Sequence, residues 1–192
     1  MAEIKSALEL ALEKAEKYGR ASPEEMALRQ HQDQGRQLAV LFLKGEGDLE
    51  ADLKKIPSMA QAAVRQAIKE VFLRNLALPR ENTVDPRQDL ALEGLLLVAG
   101  NRKAMAQLQA EMEQIFQQFI QIRNNARQQL KARYAAGAGQ LQKAMEAQLH
   151  QKVRVEAEHL PQFQEEWRRF QGQLHDQFEP VLETLKERMR LA

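Results

Sequence analysis

The sequence predicts an all-α protein. Apolar residues recur at steps of three and four along almost the whole chain, the spacing that keeps side chains on one helix face. Glycine and proline number only 9 and 6 in 192 residues and gather at the edges of the periodic segments, so turns are few and helices long. No stretch alternates with period two as a half-buried strand does. Beyond the class, the pattern predicts a helical N-terminal domain over 1–80. A long antiparallel, coiled-coil-like helical hairpin over 81–192 follows, with its turn near 135–139.

The first helix is expected from Glu3 to Tyr18, where Ile4, Leu8, Ala11, Leu12 and Ala15 form a stripe and Gly19 is a stop. Ser22-Pro23-Glu24-Glu25 then supplies an N-cap hydroxyl, a proline at the first helical position and an acidic first turn. Ser22 and Glu25 have capping-box spacing. This second helix carries Met26, Leu38, Leu41 and Phe42 and ends near Lys44-Gly45. Asp48 caps a short turn through Leu53. Ile56-Pro57-Ser58 opens a third helix with Met59, Ala63, Ile68, Val71, Phe72 and Leu76 on its buried side. Pro79 to Pro86, with Asn82, Thr83 and Asp85, reads as a linker and sets the domain boundary.

From Arg87 to Tyr134 one stripe runs through Leu95, Val98, Leu108, Met112, Ile115, Phe116, Phe119, Ile122, Ala126, Leu130 and Tyr134, with glutamine filling much of the rest. A helix of this length would reach roughly 70 Å and needs a partner along its flank. Ala135-Ala136-Gly137-Ala138-Gly139 reads as the break. The return arm carries Leu141, Met145, Leu149 and Val153, then Phe163, Trp167, Phe170, Leu174, Phe178, Val181, Leu185 and Met189. Pro161 and Pro180 lie in this arm. Pro161 is the better candidate for a fresh helix start, because His159-Leu160 interrupts the stripe and Pro180 does not.

Composition removes several chemistries. Without cysteine there are no disulfides, zinc-thiolate centres, iron–sulfur clusters or thiol nucleophiles. Aromatics at 5% leave a core of Leu, Ala, Ile, Val and Met, and a net charge of +1 provides no global field for nucleic acid or anionic lipid. The longest apolar run, Leu95 to Ala99, is far short of the ~20 residues that span a bilayer. The opening Met1-Ala2-Glu3-Ile4-Lys5-Ser6 does not resemble a signal peptide, so the expected location is the cytoplasm.

Catalytic signals are thin. Glu156-Ala157-Glu158-His159 has the Glu-x-x-His spacing of carboxylate-bridged di-iron bundles, but neither His150 nor His175 follows a glutamate by three, so the second half is missing. Ser6, Ser22 and Ser58 all sit at helix starts, where hydroxyls cap free amides. Gly45-Glu46-Gly47 and Gly137-Ala138-Gly139 lack the lysine and strand of a phosphate loop. No catalytic, cofactor-binding or metal-ligating residue is expected, and the chain does not read as an enzyme.

Local charge is more informative. Between Glu113 and Glu146 lie five cations, Arg123, Arg127, Lys131, Arg133 and Lys143, and no acid. Arg123, Arg127 and Lys131 are spaced four apart and share one helix face. With Tyr134 they define a candidate binding tip at the far end of the hairpin, suited to RNA, DNA or an acidic protein surface. An exposed helix end kept soluble by glutamine and arginine is the plainer account of the same residues.

Glu3 to Lys14, Gly35-Arg36-Gln37-Leu38-Ala39 and Val71 to Pro79 are together similar, in order and spacing, to an uncharacterised family of small helical bacterial proteins. The resemblance covers the N-terminal half and implies a bacterial, soluble, helical protein without assigning an activity. The functional expectation is a non-enzymatic scaffold, adaptor or stalk that binds a protein partner and self-associates. Nucleic-acid binding through the basic tip is the alternative.

Overall fold

The computed structural model describes residues 22–192, and the helix expected over Glu3–Tyr18 lies outside them. Among the described residues there are six α-helices, one 3₁₀ turn and no strand, so the protein is all-α. Helix α1 spans Pro23–Leu43, α2 Leu49–Lys54, α3 Ser58–Asn75, α4 Pro86–Val98, α5 Arg102–Leu149 and α6 Pro161–Leu191; the 3₁₀ turn is Ala157–His159.

The caps form as the sequence dictates. Ser22 Oγ accepts the Glu25 amide at 3.1 Å, and Glu25 Oε2 accepts the Ser22 amide at 3.0 Å, a closed capping box. Asp48 caps α2 by accepting the Ala51 amide at 3.0 Å, and Asp85 opens α4 in front of Pro86. Between α1 and α2, Gly45 and Gly47 take positive φ (73° and 118°), a conformation that glycine adopts without a Cβ penalty.

Two close approaches set the spacing of the N-terminal helices. Gly35 of α1 lies against α3 so tightly that a Cβ would stand 2.6 Å from the Val64 carbonyl oxygen. Gly94 of α4 leaves room for Phe72, whose ring would meet a Cβ at 2.3 Å. Around them Val64, Ile68, Phe72, Leu92 and Leu95 are fully or almost fully buried. The same apolar cluster continues into α5 through Met105, Met112, Phe116 and Phe119 and into α6 through Leu174, Leu182, Leu185 and Met189. Residues on both sides of the Pro79–Pro86 linker thus share one core.

The long periodic segment departs from expectation in two places. The stripe from Arg87 to Tyr134 is two helices, because Ala99 is extended (ψ 139°) and Asn101 starts α5 afresh. Its side chain accepts the Ala104 amide at 3.1 Å, and its own N–H donates to the Ala192 carbonyl at 3.0 Å. The turn expected near 135–139 is absent, and α5 continues without interruption to Leu149. Two glycines cost about 1 kcal/mol each in a helix interior, and three alanines, the best helix formers, flank them. Ala138 is also buried, 4% exposed, against the chain that returns.

The chain instead leaves α5 at His150, which adopts the left-handed conformation (φ 54°) and donates its amide to the Glu146 carbonyl. An extended stretch then runs back beside the last turns of α5. Its Val153 and Val155 amides donate to Glu146 Oε1 and Gln142 Oε1 at 3.3 and 3.4 Å. Pro161 is the first residue of α6, as its sequence context implies. Pro180 sits inside α6 without breaking it. It faces solvent, and Thr184 Oγ1 donates to its carbonyl at 2.8 Å.

Helix α6 packs along α5, and its end returns to the main core. Lys69 Nζ, a buried ammonium whose pKa desolvation depresses, donates to the Arg190 carbonyl at 3.2 Å; the Arg190 side chain donates to Glu70 at 2.8 Å.

Candidate functional site

The six residues singled out as a binding tip do not form one exposed patch. Arg123 is only 6% exposed and belongs to the core of the molecule. Its Nη1 donates to the carbonyls of Pro79 and Arg80 at 2.7 Å each. Its Nη2 reaches the Glu81 carbonyl and, at 3.3 Å, Asn82 Oδ1. The guanidinium lies 5.7 Å from the centre of the Phe119 ring. Burial, followed by the neighbouring Arg127 charge, pushes the Arg123 pKa down. This arginine holds the α3–α4 linker against α5.

Arg127 and Lys131, one and two helical turns on, share a single carboxylate. Arg127 Nε donates to Glu158 Oε1 at 2.8 Å and Lys131 Nζ lies 3.1 Å from the same oxygen. The Arg127 hydrogen bond in particular holds the Glu158 carboxyl below its ordinary range. Glu158, part of the Glu-x-x-His spacing, therefore pairs with two cations at once.

Farther along α5, Arg133 and Tyr134 share Glu166 of α6. Tyr134 Oη donates to its Oε2 at 2.9 Å and the Arg133 guanidinium pairs with Oε1. The tyrosine hydrogen bond, then the arginine, keeps the Glu166 carboxyl depressed, and the same hydrogen bond raises the Tyr134 phenol. The Tyr134 ring meets Phe163 edge-on at 6.1 Å. Both belong to a second, smaller apolar cluster built from Leu130, Ala138, Ala157, Leu160 and Phe163, with Trp167 packed at its edge. Lys143 alone of the six has neither an ion pair nor a side-chain hydrogen bond among the described residues.

Beside this cluster an open groove of about 480 Å³ runs between α5 and α6, with Gln129, Arg133, Glu166, Arg169 and Phe170 among its walls. Within it Arg133 and Tyr134 bond Glu166, and Arg169 pairs with Glu165. The ion pairs along it tie α5 to α6 and to the returning chain. What the sequence missed is the counter-charge. Glu158 and Glu166 lie 25 or more positions from their partners, and only the returning chain brings them close.

The chain is thus a helical protein in which most of the cations of the basic stretch are paired with the returning chain or with the linker. It belongs to a family of unknown function, DUF6657, whose match covers residues 50–191. The match takes in the Val71–Pro79 segment and runs on through both long helices, so the family's reach is not limited to the N-terminal half. No curated protein and no solved structure matches the chain. Among the described residues no helix is long and apolar enough to cross a membrane.

Proposed function

We propose that the protein is a non-enzymatic scaffold whose α5 and α6 form an antiparallel helical hairpin, an arm projecting from the N-terminal helices to engage another protein. The supporting observation is a set of side-chain contacts between the two helices at separated points. Arg188 donates to Glu111 at 2.5 and 3.1 Å near the base. Arg133 meets Glu166 roughly 33 Å farther out along α5, at 1.5 Å per residue. Between them Phe119 packs edge-on against Phe178 at 5.4 Å. Ile122 and Leu141 on α5 and Val181 on α6 remain 42%, 42% and 47% exposed among glutamines, which gives a partner helix apolar anchors. The reading includes self-association through the same residues and a cytoplasmic location.

The experiment is affinity capture from lysate with and without nuclease, using the full chain and its Ile122→Glu and Leu141→Glu variants. A stoichiometric protein partner that survives nuclease and is lost with either variant supports the arm. A partner equally retained by both variants would remove these anchors from the interface. Light scattering behind size exclusion reads self-association in the same samples.

The alternative is nucleic-acid binding at the far end of the arm. Lys143 and Lys152 favour it, since neither forms an ion pair among the described residues while Arg127, Lys131, Arg133 and Arg154 do. It predicts RNA or DNA binding that falls steeply with salt and is lost on joint Lys143→Glu and Lys152→Glu replacement.

A further inference from the structure

Far from the Glu158 and Glu166 clusters, three cations from three different elements border one cavity. Lys54 ends α2, Arg65 lies in the second turn of α3 and Arg102 opens α5; together they line a cavity of about 290 Å³. Leu53 and Ala99 also line it.

 

Leu53 and Ala99 are 4% and 7% exposed, so the charges sit over a floor that excludes water. None of the three cations forms an ion pair among the described residues. Glu50 is the sole acid in the lining, which leaves two positive charges uncompensated.

We propose that Lys54, Arg65 and Arg102 bind the phosphate group of a small phosphorylated molecule. Two uncompensated charges match a phosphate dianion better than a single carboxylate, and two guanidinium forks present paired N–H donors to its oxygens. The low-dielectric floor strengthens that attraction. The site lies at the base of α5, away from the proposed partner anchors Ile122 and Leu141, so it stands or falls independently of the scaffold reading.

The test is an NMR titration of the full chain with inorganic phosphate at constant ionic strength, balanced with chloride. Saturable shifts are expected at the amides around Lys54, Arg65 and Arg102. Arg65→Gln and Arg102→Gln should each weaken binding by about tenfold, as loss of a charge-assisted fork does. Arg133→Gln, on the far part of α5, should leave it unchanged. Acetate should bind more weakly than phosphate. Equal shifts with chloride, an equal response to acetate, or full affinity in both glutamine variants would each overturn the assignment. Circular dichroism checks that the variants are folded, and Lys54→Gln, at an exposed position, repeats the test should Arg65→Gln unfold.

Discussion

The Arg123 guanidinium donates to the Pro79 carbonyl at 2.7 Å, across 44 positions of sequence. With the Arg80 and Glu81 carbonyls it closes the linker onto α5 without any carboxylate partner. Truncation would leave several backbone oxygens facing a void. Hydrogen bonds to a charged donor are worth about 1.5–3 kcal/mol, so Arg123→Met should destabilise the protein by about that much. Arg123→Lys should recover little, because one ammonium cannot span the same fork of acceptors. Urea unfolding followed by circular dichroism measures both. Wild-type stability in Arg123→Met would show that the linker does not depend on this clamp.

Glycines in helices separate packing from propensity. Gly35→Ala sets a methyl 2.6 Å from the Val64 carbonyl, part of a helix backbone that cannot rotate aside. Helices α1 and α3 must move apart, at about 1–3 kcal/mol. Gly139→Ala meets nothing within 4 Å and should stabilise by about 0.5–1 kcal/mol through propensity alone. Thermal unfolding of the two variants should shift in opposite directions. A common direction would refute the close α1–α3 approach.

The legible parts of this fold are local. Ser22 with Glu25, Asp48, and Pro161 each act within a few residues of themselves, and the structure realises all of them. The apolar stripe likewise named Leu95, Met112, Phe116 and Phe119 as core. The misread parts depend on distant chain. Gly137 and Gly139 look like a turn until Leu160 and Phe163 pack beside Ala138 and hold the helix together. The break at Asn101 is reinforced by the Ala192 carbonyl, at the opposite end of the described chain. Arg123 reads as exposed by its spacing with Arg127 and Lys131, yet its acceptors are carbonyls, which every residue carries and no sequence pattern marks. Glu158 and Glu166 were visible as acids, but their pairing follows from where α5 ends, at His150, eleven residues beyond the expected turn.

The second apolar cluster is separate from the main core, so damage there should stay local. Phe163 is 2% exposed and sits at its centre against Tyr134. Phe163→Ala should cost about 3–5 kcal/mol of local packing. Hydrogen exchange should then quicken at amides near Leu130, Ala138 and Leu160, while those near Phe72 and Phe116 keep their protection. Uniform loss of protection throughout the chain would mean that the two clusters unfold as one.

Acid should loosen the same region first. Glu158 and Glu166 both have carboxyl pKa values held below the ordinary range, by Arg127 and by Tyr134 with Arg133. For a depressed carboxyl the stabilisation is complete above the unfolded value of about 4.3 and fades as pH falls through the lower folded value. The neighbouring Glu165 and Arg169 are exposed and form only a 3.5 Å contact, so they contribute little. Trp167, the one tryptophan, packs at the edge of the cluster and reports its opening. Its emission should stay constant from pH 7 to about 4.3 and shift to the red below it. In the Glu158→Gln, Glu166→Gln double variant the emission should already be red-shifted at pH 7 and the acid transition should shrink. An acid transition of the same midpoint and amplitude in the double variant would show that other groups hold the two helices together there.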